Sequence, residues 1–499
     1  MARKGTDARR EGADERALSL DEAAERLGVS RSTLYRWQQQ GRIKGFKAGR
    51  QWRFRPSELE AFEKASHPSA AAVNVMELSD ALSELAKTRG AASGVVFDPA
   101  LSGYPATAEE KAVEEAFSAM LATAAEASAS DIHIDAARGE AVVRQRLDGV
   151  LHEMVRVPKS SHGALVACIK AHAGIPLDQR GLPQDGRFTI KVGEQEFDVR
   201  TATMPAVYGE SVVMRLLIQS QVFVDLERLG MSPEDLEKYR RALRAPVGLL
   251  IVSGPTGSGK TTVLYSGLKE IASSEMKVMS IEDPVEYSLP HVTQVAVNRK
   301  AGLTFLAGLR AFLRHDPDVV LAGELRDLES AETAAQIAIT GHLMMTTLHA
   351  HNTAETIIRL LDMGVEPFMV AQTLLYVSAQ RLARRVCSEC GEPDEPEVKE
   401  LSALAERARR GGYELPDRPQ FRRGKGCDHC HRTGYRGRTG IYECMEVGRE
   451  LQRLIMARAS AEEIEEAAVR GGMTTLAADG LRKAAEGITS VTEVARLLG

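Results

Sequence analysis

Along this chain the spacing of hydrophobic and polar positions changes several times, and each change marks a new element. Near Leu18 the stretch "SLDE" offers Ser19 and Glu22 as a capping box, and Ala23, Ala24 and Leu27 give the helix behind it an inward face. Gly28 and Val29 make a turn, and Ser30 caps a second helix with Leu34 and Trp37 inward and Arg31, Ser32, Tyr35 and Arg36 outward. Gly41 ends it. The stretch "RIKGFKAGRQWRF" then alternates as a small hairpin around Ala48 and Gly49, with Trp52 and Phe54 on one face, and "PSELEAF" starts another short helix.

Residues 1–17 carry charge without apolar periodicity and are expected to be a disordered tail. Residues 65–107 are rich in Ala, Ser, Gly and Pro and read as a linker, interrupted by one amphipathic helix around "VMELSDALSELAKTR". Residues 108–220 read as a helix leading into "ASDIHI", followed by the strands "AVVRQRLDGVLHEM", "GRFTIKV" and "EFDVRTATMP", an α+β module. From Val247 onward, short apolar runs ("GLLIVSG", "VMSIED", "DVVLAGE", "MMTTLHA") alternate with helical stretches, which predicts a parallel sheet with helices on both faces. That domain is expected to span residues 221–499.

A length of 499 residues agrees with several units, at roughly 100 to 200 residues per domain. The formal charge of -5 implies no particular partner, but its distribution does: Arg26 through Arg55 includes nine Arg and Lys and no carboxylate. No stretch approaches the ~20 apolar residues of a spanning helix, so the chain reads as cytosolic, with any membrane role passing through a partner. Of six cysteines, four form two CxxC pairs, Cys387/Cys390 and Cys427/Cys430. Two such hooks make a closed tetrahedral Zn²⁺ site with a structural role, and a redox-active dithiol is the alternative. Cys168 and Cys444 stand alone among apolar neighbours.

The strongest chemical signal is "GPTGSGKTT", from Gly254 through Pro255, Thr256, Gly257, Ser258, Gly259, Lys260 and Thr261 to Thr262. Between an apolar strand and a helix, such a loop turns backbone N–H groups toward phosphate oxygens; Lys260 reaches the β- and γ-phosphates and Thr261 ligates Mg²⁺. The next strand delivers Glu282, Asp283 and Glu286 to the edge where open α/β sheets bind ligands, and "DVVLAGE" delivers Glu324 as the candidate for activating water. His342 and His349 flank the strand of "LMMTTLHA" and together read as phosphate sensors.

In order, "GPTGSGKT", "IEDPVEY", "RHDPDVVLAGELRD" and "TGHLMMTTLHAHN" resemble the Walker A, Asp, Walker B and His boxes of the type II secretion and type IV pilus assembly ATPases. The likeness runs from about Ala127 to the C-terminus. It implies a RecA-like core, ATP with Mg²⁺ at the loop, a homohexamer with nucleotide between protomers, and an inner-membrane platform protein as partner. It also implies that arginines of the preceding module, at Arg187, Arg200 and Arg215, complete the site, with Arg200 and Arg215 favoured. Secretion and pilus-extension members of that family carry the cysteine insertion, here residues 385–440. His315 stands where the family usually has Gln, and His351 where it usually has Asn.

Residues 18–64 resemble the winged helix-turn-helix of excisionase-like DNA-binding domains. That implies Arg31, Ser32, Tyr35 and Arg36 against base edges and Lys47, Arg50 and Arg53 on phosphates. The same fold as a protein-docking adaptor is the alternative. For the whole chain, the reading is a secretion or pilus motor with an accessory module; the alternative is a DNA-binding ATPase that acts as a nucleic-acid translocase or transcription regulator.

Overall fold

The computed structural model describes residues 18–26, 43, 45–48, 51–56, 58–59, 95–97, 108–179, 181–218 and 225–498. The second helix of the front module, with Arg31, Ser32, Tyr35 and Arg36, lies outside these residues, as do Arg50 and the amphipathic helix expected between 65 and 107. The chain divides into two compact units: Met1–Gln145, His152–Gly193 and Val199–Leu216 form the first, and Arg146–Leu151, Glu194–Asp198 and Leu217–Gly499 the second.

The front module opens with β1 (Leu18–Ser19) and α1 (Leu20–Arg26), followed by β2 (Phe46–Ala48) and β3 (Gln51–Phe54). Ser19 N–H donates to Glu22 Oε2 at 2.7 Å and Glu22 N–H to Ser19 Oγ at 3.2 Å, the reciprocal capping box expected there. The strands order as β1-β3-β2, with Leu18 opposite Phe54 and Lys47 opposite Trp52. Because strand side chains alternate, Phe54 joins Ala23, Ala24, Ile43 and Leu59 in a small core and Trp52 packs against it from the same face. Lys47 Nζ lies 5.5 Å from the centre of the Trp52 ring, a cation–π contact.

The α+β module contains β4 (Val95–Phe97), α2 (Ala108–Glu126), β5 (Asp131–Ala136), β6 (Glu140–Leu147), β7 (Val150–Pro158), α3 (Lys159–His172), β8 (Gln184–Val192), β9 (Gln195–Met204) and β10 (Ser211–Ile218). Its strands order as β4-β8-β9-β10-β5-β6-β7. On β6 the inward positions Ala141, Val143, Gln145 and Leu147 recur with period two, as one covered face requires. The short β4, in the stretch expected as linker, pairs antiparallel with β8. Phe97 stacks on His172 at 4.0 Å between centroids and lies beside Phe117 and Phe188.

The second unit begins with α4 (Pro233–Leu243), then β11 (Gly248–Ser253), α5 (Lys260–Ile271), β12 (Val278–Glu282), β13 (Val292–Ala296), α6 (Phe305–Phe312), β14 (Val319–Ala322), α7 (Leu328–Ile339) and β15 (Leu343–Leu348). It continues with α8 (Thr353–Asp362), α9 (Pro367–Thr373), β16 (Leu374–Val386), β17 (Gly391–Pro393), α10 (Val398–Arg410), β18 (Arg422–Gly424) and β19 (Tyr435–Glu446). Four short helices, α11 (Arg449–Met456), α12 (Ala461–Arg470), α13 (Leu476–Ala485) and α14 (Val491–Leu498), close it. The main sheet orders as β13-β12-β14-β15-β11-β16-β19, parallel except for the last pair.

Both faces of this sheet are covered, so its central strands are mostly apolar on both sides. On β11, Leu249 and Ile251 enter one core with α7, α8 and α9, while Leu250 and Val252 enter the other with Tyr239 of α4 and Val263, Leu264 and Leu268 of α5. This is the RecA-like α/β architecture expected from the alternating runs. The antiparallel hairpin of β16 and β19 at its end, with Tyr376 opposite Glu446 and Val386 opposite Tyr435, was not foreseen.

Candidate active site

Strands β11, β12, β14 and β15 run parallel, so the residues that follow each of them share one edge of the sheet. Gly254, Asp283, Glu324 and His349 all lie at that edge. The loop after β11 owes its shape to glycine: Gly254 has φ 145° and Gly259, the N-cap of α5, has φ 89°, both in territory that L side chains avoid. A Cβ on Gly254 would meet Ser258 Oγ at 2.6 Å and the Gln380 carbonyl oxygen at 2.7 Å, so backbone packing also demands glycine there.

Pro255, Thr256 and Gly257 at the crest of the loop and Thr261 in the first turn of α5 are exposed; Ser258 is buried, and Thr262 is half-buried. Lys260 Nζ reaches back to donate to the carbonyls of Gly254 at 2.8 Å and Pro255 at 3.0 Å. Burial pushes its pKa down to about 8; the nearby Glu324 carboxylate opposes that shift and Arg381 adds to it.

Glu324 follows β14 through Gly323. Thr347 Oγ1 on β15 donates to the Gly323 carbonyl at 2.6 Å, which ties this turn to the strand that His349 follows. The Glu324 carboxylate lies 3.6 Å from His349 Nε2 and forms an ion pair with Arg326. Glu324 thus lies close enough to act electrostatically on Lys260 and to approach His349, with all three at the carboxyl edge of the sheet.

Other expected residues are placed differently. Glu282 is 4% exposed and faces inward: Tyr265 Oη donates to it, Ser280 Oγ donates at 2.6 Å and Gln294 Nε2 at 3.2 Å. Strand alternation puts Ser280 and Glu282 on the face toward Tyr265 of α5, so Glu282, expected among the nucleotide-binding residues, is buried against the sheet and hydrogen-bonded there. Asp283 is paired with Arg299 at 2.7 Å, and Glu286 is exposed in the loop beyond.

His342 also lies apart from the phosphate loop. It precedes β15 and so lies at the opposite edge from His349, ~20 Å away at the usual rise of a six-residue strand. Its Nδ1 is taken up with the Ile337 carbonyl at 3.0 Å and Thr340 Oγ1 at 3.1 Å, at the end of α7.

Arg187 is exposed on β8, Arg200 is half-buried on β9, and Arg215 on β10 pairs with Asp131 at 3.0 Å; these three lie in the first unit. Sequence reasoning passed over Gln380 and Arg381. Both are buried on β16 next to the phosphate loop: Gln380 Nε2 donates to the Ser258 carbonyl at 2.6 Å, and Arg381 donates to the carbonyls of Gln380 and His351, both at 3.0 Å. Two adjacent polar residues inside the apolar run "LLYVSAQRLA" were the available signal.

Away from this edge, Cys387 and Cys390 meet Cys427 and Cys430, with all four sulfurs within 4.8 Å of one another. The separations of 3.7 Å (Cys390–Cys430), 3.7 Å (Cys427–Cys430) and 3.9 Å (Cys387–Cys427) match the ~3.8 Å edge of a tetrahedron with ~2.3 Å metal–sulfur bonds. They are too long for a disulfide at about 2.05 Å. Backbone N–H groups of Gly426, Cys427 and Gly434 point at the sulfurs of Cys390 and Cys430 from 3.2 to 3.3 Å, which favours thiolates. The donor set fits a metal ion.

A glycine-shaped phosphate loop at the carboxyl edge of a RecA-like sheet, with an acid near its lysine and an imidazole beside that acid, puts the second unit among the P-loop nucleoside triphosphatases. Within that class, the chain belongs to the family described as Type II/IV secretion system protein, whose model matches residues 106–496. A second model, described as a helix-turn-helix domain, matches residues 17–66. The chain is 42% identical over 379 residues to the type II secretion system ATPase E of Vibrio cholerae serotype O1, covering 76% of this chain and 74% of that one. It is 41% identical over 379 residues to the type II secretion system protein HxcR of Pseudomonas aeruginosa, covering 76% of each. To the type IV pilus assembly ATPase PilB of Myxococcus xanthus it is 40% identical over 392 residues, covering 78% of this chain and 68% of that one. Among solved structures, the Legionella pneumophila ATPase DotB shares the fold at TM-score 0.55 and 20% identity, over 76% of this chain and 94% of that one. The pilus retraction motor PilT with bound ADP does so at TM-score 0.51 and 22% identity, over 75% and 94%.

Proposed function

We propose that this chain is an ATP-hydrolysing motor that powers type IV pilus assembly or type II protein secretion, working as a homohexamer on an inner-membrane platform protein. The observation that carries this is the convergence of Lys260, Glu324 and His349 beside the phosphate loop. Family membership and the 40 to 42% identity to secretion and pilus ATPases support the machine it would serve.

In this reading the backbone N–H groups from Gly257 to Thr261 cradle the phosphates and Lys260 gives up its carbonyl partners for them. Glu324 orients and deprotonates the attacking water, and His349 reports the terminal phosphate. Thr261 would hold Mg²⁺, which would supply charge neutralisation on the phosphate oxygens. Arg200 and Arg215 act on the nucleotide of a neighbouring protomer, which couples hydrolysis to motion between subunits.

Zn²⁺ is the metal that best fits four cysteine thiolates at tetrahedral spacing, with no open position, and it holds residues 387–430 together. Among the described residues no helix is long and apolar enough to cross a membrane. The helix-turn-helix match favours a second role for the front module, contact with DNA through its basic residues, and with it the alternative of a DNA-binding ATPase.

The deciding experiment measures phosphate release by the purified full chain with Mg²⁺ and ATP, with and without duplex DNA, together with its mass in solution. A hexamer whose turnover Glu324→Gln abolishes, and which DNA leaves unchanged, supports the motor. No hydrolysis, or a monomer under every nucleotide, rules it out, and turnover driven by DNA moves the assignment to the alternative.

A further inference from the structure

We propose that Gln380 is a positioning residue for the phosphate cradle: it aims the Gly259 N–H at the bound phosphates by holding the carbonyl on the other side of the same peptide. The proposal rests on the nucleotide-binding reading above and deepens it.

β16 runs parallel to β11 with Ser253 beside Ala379, so Gln380 sits level with Gly254 as the chain leaves the sheet to form the loop. It touches the loop at both ends. At the start, its carbonyl is, with Ser258 Oγ, one of the two atoms that any side chain on Gly254 would strike, at 2.7 Å. At the finish, its Nε2 donates to the Ser258 carbonyl at 2.6 Å, and a Cβ on Gly259 would lie 3.2 Å from that same nitrogen.

The amide orientation is settled by its partner, because a carbonyl oxygen accepts only from the NH₂ end. A trans peptide plane carries its C=O and N–H on opposite sides. Once the Ser258 carbonyl is drawn onto Gln380, the Gly259 N–H must point away from β16, to the open side of the loop. That peptide enters α5 at its N-terminus, where N–H groups have no partner within the helix and an anion is favoured.

The anchor itself is rigid. Gln380 is 1% exposed, and Arg381 donates to the Gln380 carbonyl and to the His351 carbonyl, both at 3.0 Å. The loop is therefore fixed to the same frame that carries His349, two residues before His351. Gln380 Oε1 and Ser258 Oγ are both buried without a hydrogen-bond partner. Buried polar groups are seldom left so, and the bond from Nε2 to the Ser258 carbonyl is the one hydrogen bond this side-chain amide makes.

The test compares full-length wild type with Gln380→Met and Gln380→Glu, using Mg²⁺ and ADP as the probe at pH 6 and pH 8.5, with melting temperatures taken without nucleotide. Gln380→Met loses the donor and should bind ADP about tenfold more weakly at both pH values, with a melting temperature close to wild type. Gln380→Glu presents a carboxylate to the Ser258 carbonyl at pH 8.5 and should be at least as weak there. At pH 6 the introduced carboxyl, its pKa raised by burial, regains an O–H donor and should recover to within about threefold of wild type.

Wild-type-like ADP affinity in both variants at both pH values overturns the proposal. So does a loss in Gln380→Glu that shows no recovery at pH 6, or a loss in Gln380→Met matched by a fall in the nucleotide-free melting temperature. Failure of wild type itself to bind ADP counts against the nucleotide-binding reading, a separate result.

Discussion

The Nε2 of His349 lies 3.6 Å from the Oε2 of Glu324, although the two side chains come from the ends of different strands, β15 and β14. The pairing follows from the parallel register, in which Ala322 lies beside Thr346. It leaves the Glu324 carboxylate shared between an imidazole and the Arg326 guanidinium, facing the end of the sheet where the phosphate loop begins. On the proposed reading, a carboxylate in that position would have an acid–base task that its amide could not perform. Glu324→Gln is expected to lower the rate of phosphate release by 10² to 10⁴ while ATP affinity stays within a few fold. Single-turnover hydrolysis and equilibrium binding on the same preparation check this. An unchanged rate would remove Glu324 from the chemistry.

Lys260 makes a second prediction, with a definite sign. Burial brings its pKa down to about 8 in the empty site, so near pH 8.5 most of these lysines are neutral. A polyphosphate in the loop favours the charged form and must raise that pKa. Nucleotide binding at pH 8.5 should therefore take up protons, up to about three-quarters per site, and binding at pH 6.5 should take up almost none from this group. Calorimetry in two buffers of different ionisation enthalpy reads the number directly. Proton release at pH 8.5 would contradict the arrangement.

Much of this site is visible in the sequence because its chemistry depends on local patterns. The loop from Gly254 to Thr261 carries its own glycines and lysine, and Glu324 and His349 each follow an apolar run that ends at the sheet edge. Glu282 shows where such reasoning fails. It also ends an apolar run, but one position of strand alternation turned it inward to Tyr265 and Ser280, and only packing decides that phase. His342 was read at the other end of the same strand, and the parallel direction of β15 keeps it there, hydrogen-bonded at the end of α7. Gln380 and Val95–Phe97 were passed over because they work through partners distant in sequence, Ser258 and β8 respectively. The two CxxC pairs were legible as a metal set, whereas the hairpin of β16 and β19 around them was not, since nothing in a local window announces an antiparallel edge on a parallel sheet.

The cysteine cluster predicts how the thiols react. Cys168 and Cys444 are buried, with burial pushing the Cys168 thiol up to about 12 and that of Cys444 well above its usual range, so neither should react in the folded chain. The remaining four should be protected by metal. An aromatic disulfide reagent should thus find almost no reactive thiol in the native protein and about four after a strong chelator is added, with close to one equivalent of zinc released per chain. Four reactive thiols before chelation, or a metal content near zero in protein purified without chelator, would speak against a structural metal.

A last prediction concerns the buried charges that hold β19 to α13. Asp479 accepts from the Tyr442 backbone N–H at 2.9 Å and from Arg482 at 2.5 Å, and it pairs with Lys483. The Lys483 ammonium is almost wholly buried; burial lowers its pKa, and its other bond is to the Gly440 carbonyl at 2.6 Å. Taking away the carboxylate leaves that ammonium uncompensated, at a cost of about 3 to 5 kcal/mol. Asp479→Ala should therefore lower the melting temperature by on the order of 10 °C. Replacing both partners removes the stranded charge, so Asp479→Asn combined with Lys483→Met should melt higher than Asp479→Ala alone, although it deletes more native contacts. If the double variant proves the less stable of the two, the pair contributes by direct attraction rather than by mutual compensation, and burial is not what makes Lys483 depend on Asp479.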